Sequence, residues 1–258
     1  MSVEVNLKSI TKKTVIGKTL IDGRMNSNAG AIALGDYIVA IDLSTTAESA
    51  LLFRKAIEEH FNLPTKYLLV THYHGDHTDG IRAFKDTIVV GSKALYKQMK
   101  SNKKPFPPEL MFTDKLLIEN SRSRVEFHYI AGHTVCSSIA YFPKEKVIFL
   151  GDLLFADSFP WAGDSSCNPD LWIAFFEKIL NFDFDHVVPG HGPLCGKEET
   201  RKQLKLLKEL RDNTLKAISE KTGPTRIKKP VIYELTNKSR VTRTMQFFYD
   251  FYSKRNEF

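Results

Sequence analysis

The sequence predicts a layered sandwich of the α+β class. Three observations carry this. Short strand-like runs come in two mid-chain groups, helix-like runs lie between and after them, and the composition is that of an ordinary globular chain. Of 258 residues, 42% are hydrophobic and 26% charged, a balance that suits one large domain or one with a smaller appendage.

AIALGDYIVAID (31–42) reads as a β-hairpin with Gly35-Asp36 at its turn. TAESALLFRKAIEEHF (46–61) reads as an amphipathic helix, with Leu51, Ala56 and Phe61 marking its apolar side. KYLLVT (66–71) is a short buried strand. A short helix follows at about 78–85, then a strand at 87–92 and a helix at 92–100. Three prolines make SNKKPFPPELMFT (101–113) a loop. Strands are expected near 114–119, 123–130, 137–142 and 146–151. A helix near 169–181 carries Trp172, Phe175, Phe176 and Leu180, and HVVPGHG (186–192) is a strand ending in a loop. Two helices, about 196–221 and 238–254, close the chain, joined by a proline-bearing connector. The expected organisation is a main domain over 1–195 and a basic helical extension over 196–258 packed on it.

Several classes are disfavoured. The first residues contain no apolar run long enough for a secretion signal, and runs such as YLLV and VIFL are far too short to span a bilayer. Cys136, Cys167 and Cys195 are odd in number and show no paired spacing, so they form no disulfide framework. The expectation is a reduced, cytoplasmic protein that does not engage membranes. The net charge of +7 is concentrated beyond residue 195. Such an excess reads first as a solvated helix face and second as a surface for nucleic acid or anionic substrates.

The chemistry is concentrated in THYHGDH (71–77), which holds His72, His74, Asp76 and His77 directly after a buried strand. Imidazole and carboxylate are common zinc ligands, and a loop anchored at a strand end is rigid yet accessible. His133 in AGHT, Asp152 in FLGD and His191 in PGHG add three more ligand-type residues, each in a glycine context at a strand end. His60, His128 and His186 sit in ordinary strand or helix contexts, and Cys136 reads as packing.

With these residues in this order, the chain resembles the metallo-β-lactamase fold superfamily over roughly residues 30–195. The resemblance implies a four-layer αβ/βα sandwich with a dinuclear site at one edge of its paired sheets. It also implies ligand roles. His72, His74 and His133 would bind one metal, Asp76, His77 and His191 a second, and Asp152 would bridge both. Asp42 matches an acidic residue that supports the site from behind. Two zinc ions fit the donor set, which also accepts iron or manganese. The implied reaction is hydrolysis by a metal-bridged hydroxide, with Asp76 orienting the nucleophile and moving a proton.

The branch is read from particular positions. The commonest zinc β-lactamases place Cys where this chain has Asp152, Arg at His77 and Lys at Phe155. The run GDLLF (151–155) looks more like the glyoxalase II and lactonase branch, although Val135-Cys136 replaces that branch's usual Pro-Gly. The expected substrate is therefore a small acyl compound: an ester, thioester, lactone or β-lactam. A nuclease acting on RNA or single-stranded DNA through the basic extension is the alternative. Phe159 and Trp161 are candidate substrate-pocket walls, with Phe106, Pro107 and Phe112 opposite. Lys103, Lys104, Arg240 and Arg243 are candidate cations for an anionic substrate, at positions the sequence does not fix. The aromatic run MQFFYDFY (245–252) is a candidate for core packing or a homodimer contact.

Overall fold

Alternation along the strands sorts their side chains into separate cores. On β4 (Tyr37–Ile41), Ile38 and Ala40 face one core while Val39 and Ile41 face another. Strand β11 (Val147–Phe155) does the same, with Val147 and Phe149 on one side and Ile148 and Leu150 on the other. Every residue of β11 is buried, as expected of a strand covered on both faces. The structure is a computed structural model that describes residues 2–120, 122–230 and 238–255, with only the backbone of residues 25 and 26.

Twelve strands form two sheets among the described residues. The first has β1 (Val3–Ser9), β2 (Thr14–Ile21), β3 (Arg24–Leu34), β4, β5 (Thr65–Leu69), β6 (Ile88–Ser92) and β7 (Leu110–Phe112) in sequence order. The second runs β12 (His186–His191), β11, β10 (Ser138–Phe142), β9 (Ser123–Tyr129), β8 (Lys115–Asn120). Helices α1 (Ala47–Phe61) and α3 (Lys93–Ser101) cover the first sheet, and a four-residue turn of helix, α2 (Gly75–Thr78), follows β5. Helices α4 (Pro169–Ile179), α5 (Lys197–Ser219) and α6 (Lys238–Ser253) cover the second. The inter-sheet core includes Ile32, Val39, Phe127, Phe142 and Phe149. Helix layer, sheet, sheet, helix layer is the four-layer αβ/βα sandwich that the sequence predicts.

Several elements depart from the sequence reading. The hairpin turn is as expected, with Leu34 paired to Tyr37 across Gly35-Asp36. Strands β1, β2 and the first part of β3, however, extend the sheet through a stretch that carried no assignment, because Lys, Thr and Asn dilute its alternation. Helix α1 buries Ala50, Phe53 and Ile57, while Leu51 is 43% exposed. The real stripe is i, i+3, i+7, one face of a 3.6-residue helix. The proline loop contains β7, which puts Phe112 between the sheets rather than on a pocket wall. The expected helix at 78–85 is a single 3₁₀ turn, Ile81–Phe84.

The closing helices pack onto the second sheet. Leu206, Leu207 and Leu210 of α5 and Met245, Phe248 and Tyr252 of α6 join Trp172 and Phe176 in one core. Phe247, Tyr249 and Phe251 lean against it partly buried, so the aromatic run packs on its own chain. No described helix is long and apolar enough to cross a membrane.

Candidate metal centre

Four chain segments converge at one edge of the sandwich. The segment after β5 carries His72, His74, Asp76 and His77. The β9–β10 connection carries His133, β11 carries Asp152 and the end of β12 carries His191. His72, His74, His133 and Asp152 form one group and Asp76, His77 and His191 another; within each, the donor atoms lie within 4.8 Å of one another.

Asp152 joins the groups through its two oxygens. Oδ2 lies 3.8 Å from His72 Nε2 and 3.5 Å from His133 Nε2, while Oδ1 lies 3.1 Å from His77 Nε2 and 3.3 Å from His191 Nε2. The strand end expected at Asp152 is not there, since β11 continues to Phe155. Its pairing with β12 slips on both sides of Gly151, and this bulge aims the carboxylate at the site.

Glycines act here in two ways. Gly132, at φ 116°, follows Ala131 at φ 65°, and this left-handed pair turns the chain so that His133 points inward. Gly190 is needed for space instead, because a Cβ there would stand 2.0 Å from Asp152 Oδ1. Gly190→Ala is therefore expected to displace the shared carboxylate and weaken metal binding about 10- to 100-fold at both groups. Competition with a chromogenic chelator measures this.

Neighbouring side chains fix the ring orientations. Asp42 Oδ1 accepts the Thr71 backbone N–H at 2.8 Å, and its Oδ2 accepts the Thr71 hydroxyl at 2.7 Å and lies 2.9 Å from His77 Nδ1. His77 Nε2 is thereby turned into the site, the supporting role expected of Asp42. His74 is oriented oppositely. Its Nε2 lies 2.9 Å from Asp164 Oδ2, while its Nδ1 faces His72 Nε2 at 3.0 Å and His133 Nε2 at 3.2 Å. Asp164 also accepts the Tyr73 hydroxyl, and its Oδ1 takes the Ser166 backbone N–H at 2.7 Å.

Asp164 was not a sequence candidate; only its Asx-type relation to Ser166 two residues on marks it locally. Ser27 and Asn28 of β3 were also missed. Ser27 donates to the Asp76 carbonyl at 2.5 Å, and Asn28 Nδ2 donates to the carbonyls of Pro189 and Gly192 at 2.9 Å each. They tie the two ligand-bearing loops to one strand. Asp164→Asn keeps the volume but weakens the acceptor behind His74. It is expected to lower affinity at the His72/His74/His133 group about 10- to 100-fold, measured by the same competition.

Electrostatics divides the two groups. Burial holds His72 well below its ordinary value, reinforced by His77, and burial pushes His133 down to about 4. Both are neutral, with lone pairs available to a cation. Burial also opposes charge on His77 and His191, but nearby carboxylates prevail. Asp76, Asp42 and Asp152 raise His77 well above the ordinary range, and Asp152 and Asp76 lift His191 to about 9. Burial disfavours ionised Asp152 and Asp76 as well, yet the histidines hold both low.

The residues fit a metal pair. His77 Nε2 and Asp152 Oδ1 are buried, point into the site and make no hydrogen bond of good geometry. Buried polar atoms are seldom left so, and a shared cation satisfies both. His60 is exposed, His128 pairs with Glu126 at 3.0 Å, and neither approaches the site. Cys136 is fully buried in the core under α1 and α3, where burial pushes its thiol up to about 12.

The mouth lies over the ligands that retain exposure: His74 (18%), Asp76 (28%) and His191 (25%). Trp161 borders it, with its ring 5.4 Å from His74 and 5.7 Å from His133. Phe159 is 3% exposed and packs in the core behind this wall. Phe155 stacks on His191 at 5.3 Å with the planes 6° apart. Lys104 is held by Thr78 at 2.9 Å and Asp79 at 2.7 Å, so it ties the proline loop to the end of α2.

Comparison with known proteins bears on the family and the fold. Residues 22–191 match the model of the metallo-beta-lactamase superfamily. A beta-lactamase-like protein 2 homolog of Caenorhabditis elegans is 24% identical over 146 residues, 55% of this chain and 48% of that protein. A hydroxyacylglutathione hydrolase of Pelagibacter ubique is 29% identical over 99 residues, covering 38% of this chain and 40% of that protein. These matches span about half the length of the relatives or less. A metallo-beta-lactamase from Pontibacter korlensis superposes with a TM-score of 0.72 at 21% identity, over 80% of this chain and 99% of that one.

Proposed function

This chain belongs to the metallo-beta-lactamase superfamily, and from that premise we propose that it hydrolyses a small acyl substrate (an ester, thioester, lactone or β-lactam) with two zinc ions held side by side. The observation that carries this is the division of Asp152's two oxygens between two complete donor groups under one mouth. His72 Nε2, His74 Nδ1, His133 Nε2 and Asp152 Oδ2 would hold one ion; Asp76, His77 Nε2, His191 Nε2 and Asp152 Oδ1 would hold the other. Bound there, the pair supplies Lewis-acid activation of water and polarises the substrate oxygen.

The chain's own groups do the rest. Asp76 is the less buried of the two carboxylates among the ligands and is ionised at neutral pH. It accepts a hydrogen bond from the attacking water and takes up its proton. Asp42 and Asp164 keep His77 and His74 from rotating, so binding costs little reorganisation. Trp161 forms an apolar wall that keeps bulk water from the reacting carbonyl, and Phe155, buried in the core, steadies His191 by stacking on it. Three free cysteines match a reduced, cytoplasmic setting, which is part of this reading.

A panel of hydrolysis assays on zinc-loaded protein tests the proposal. It holds a chromogenic cephalosporin, an acyl-homoserine lactone, an acyl-glutathione thioester, and single-stranded RNA and DNA. The expected result is turnover of a small acyl substrate with nucleic acid left intact. Cleavage of nucleic acid alone would overturn the acyl assignment and make the basic extension a nucleic-acid surface.

A further inference from the structure

A sheet edge is a row of unpaired backbone N–H and C=O groups, and natural chains guard such edges. Among the described residues the two sheets end in β1, β7, β8 and β12. Strand β12 is covered, because Val187 and Cys195 exchange backbone hydrogen bonds at 2.9 and 3.0 Å. Strand β7 is three residues long and begins just after Pro107-Pro108, so it offers little backbone. Strand β1 presents Glu4, Asn6 and Lys8 on its exposed side, with no apolar group at the centre to bury. Strand β8 is the unguarded one. It is six residues long, holds no proline and pairs with β9 in unbroken register.

That register fixes which groups of β8 face outward. The Tyr129 N–H donates to the Asp114 carbonyl at 2.9 Å, and bonded and open positions alternate along an antiparallel ladder. Leu116 and Ile118 therefore bond to β9, and the N–H and C=O groups of Lys115, Leu117 and Glu119 point away from it. The side chains of these three lie on the exposed face, while Leu116 and Ile118 turn into the inter-sheet core. Leu117 is 41% exposed, with a cation before it and a carboxylate after it at equal spacing.

We propose that β8 is a docking edge for a second copy of this chain, paired antiparallel about a two-fold axis at Leu117. In this register Leu117 meets Leu117 of the second copy, and Lys115 meets Glu119 on both sides of the axis. The facing pairs use the outward backbone groups, each pair exchanging two N–H···O bonds. Charge selects the register. Centring the pair on residue 115 sets lysine against lysine, and centring it on residue 119 sets glutamate against glutamate. A slip of one residue misaligns the free backbone groups. Within one chain Glu119 lies opposite Arg124, so the row Arg124, Glu119, Lys115 of the second copy alternates in sign. The two five-stranded sheets become one continuous sheet, and the interface is symmetric and closed. A strand pair is small among specific interfaces, so association is expected at micromolar chain concentrations. The inference is independent of the acyl-hydrolase reading.

Sedimentation equilibrium of the full chain from about 1 to 200 μM tests this. The wild type is expected to show a reversible monomer–dimer equilibrium. Leu117→Lys puts two ammonium groups on the axis, while Glu126, opposite Leu117 on β9, accepts the new cation within each chain. It is expected to stay folded and to raise the dimer Kd at least about 10-fold. A wild type that is monomeric throughout that range would overturn the proposal and leave the edge to a strand of another protein.

Charge exchange is the sharper test. Lys115→Glu leaves two carboxylates along the strand and Glu119→Lys leaves two cations, so each variant repels its own copy. Each is expected to be monomeric alone, and an equimolar mixture is expected to form a one-to-one heterodimer. Near-ultraviolet circular dichroism of each variant alone establishes that it is folded. Lys115→Glu sets a carboxylate beside Glu126, which Lys115 now holds at 2.7 Å; if that variant fails to fold, Glu119→Lys and Leu117→Lys decide the matter. Self-association of a folded variant as tight as that of the wild type would overturn the proposal, as would a mixture of folded variants that stays monomeric.

Discussion

Asp152→Ala is expected to remove both metal ions together and to cut hydrolysis on the order of 10³-fold, the equivalent of roughly 4 kcal/mol of transition-state stabilisation. Asp152 faces both donor groups, with Oδ2 toward His72 and His133 and Oδ1 toward His77 and His191. Its loss leaves each group without the negative charge that draws a cation to a buried set of imidazoles. Elemental analysis after dialysis against a weak chelator should give well under one ion per chain. Asp152→Asn keeps the volume and should lose metal nearly as completely, because its amide cannot supply an anionic oxygen to both sides. A variant that kept two ions would show that the groups bind independently, and the shared-carboxylate account would fail.

Asp76→Ala should behave differently. It removes one ligand from one group and leaves Asp152 in place, so metal content should fall only modestly. Turnover should nevertheless drop about 10² to 10⁴-fold, the scale on which a positioned acid–base group contributes. The expectation rests on exposure, since Asp76 is 28% exposed at the mouth whereas Asp152 is 5% exposed. Comparing kcat at saturating metal for Asp76→Ala and for wild type separates the proton-handling role from metal loss. Near-normal kcat in the metal-loaded variant would assign Asp76 to coordination alone.

Legibility in the sequence followed locality. The ligands announce themselves because four sit within a single turn-bearing segment and the others stand beside glycines. Their sorting into two groups came through family resemblance, and the geometry brings the same residues together. Gly190 was noticed for the wrong reason: it gives Asp152 room rather than bending the chain. The roles of Asp164 and Asn28 are not legible, because each acts on residues far away in the chain, as in the Asp164–His74 and Asn28–Pro189 contacts. Nothing in a single sequence marks such pairs.

The same limit applies to Arg240 and Arg243. In the sequence they belong to a diffuse basic extension; the fold lays them over Phe155 and Trp161. Helix α1 is a smaller case. Its stretch ALLFRKAI offers more than one apolar stripe, and burial of Ala50, Phe53 and Ile57 selects one. Tertiary packing decides between stripes that propensity and periodicity leave nearly equal.

The most direct test of the account is a zinc titration of chelator-stripped protein, reading ions bound per chain alongside the rate of hydrolysis of a small acyl substrate. The account predicts saturation at two ions, with the rate reaching its plateau only as the second is taken up. Saturation at one ion, or two ions bound with no acyl hydrolysis, would contradict it.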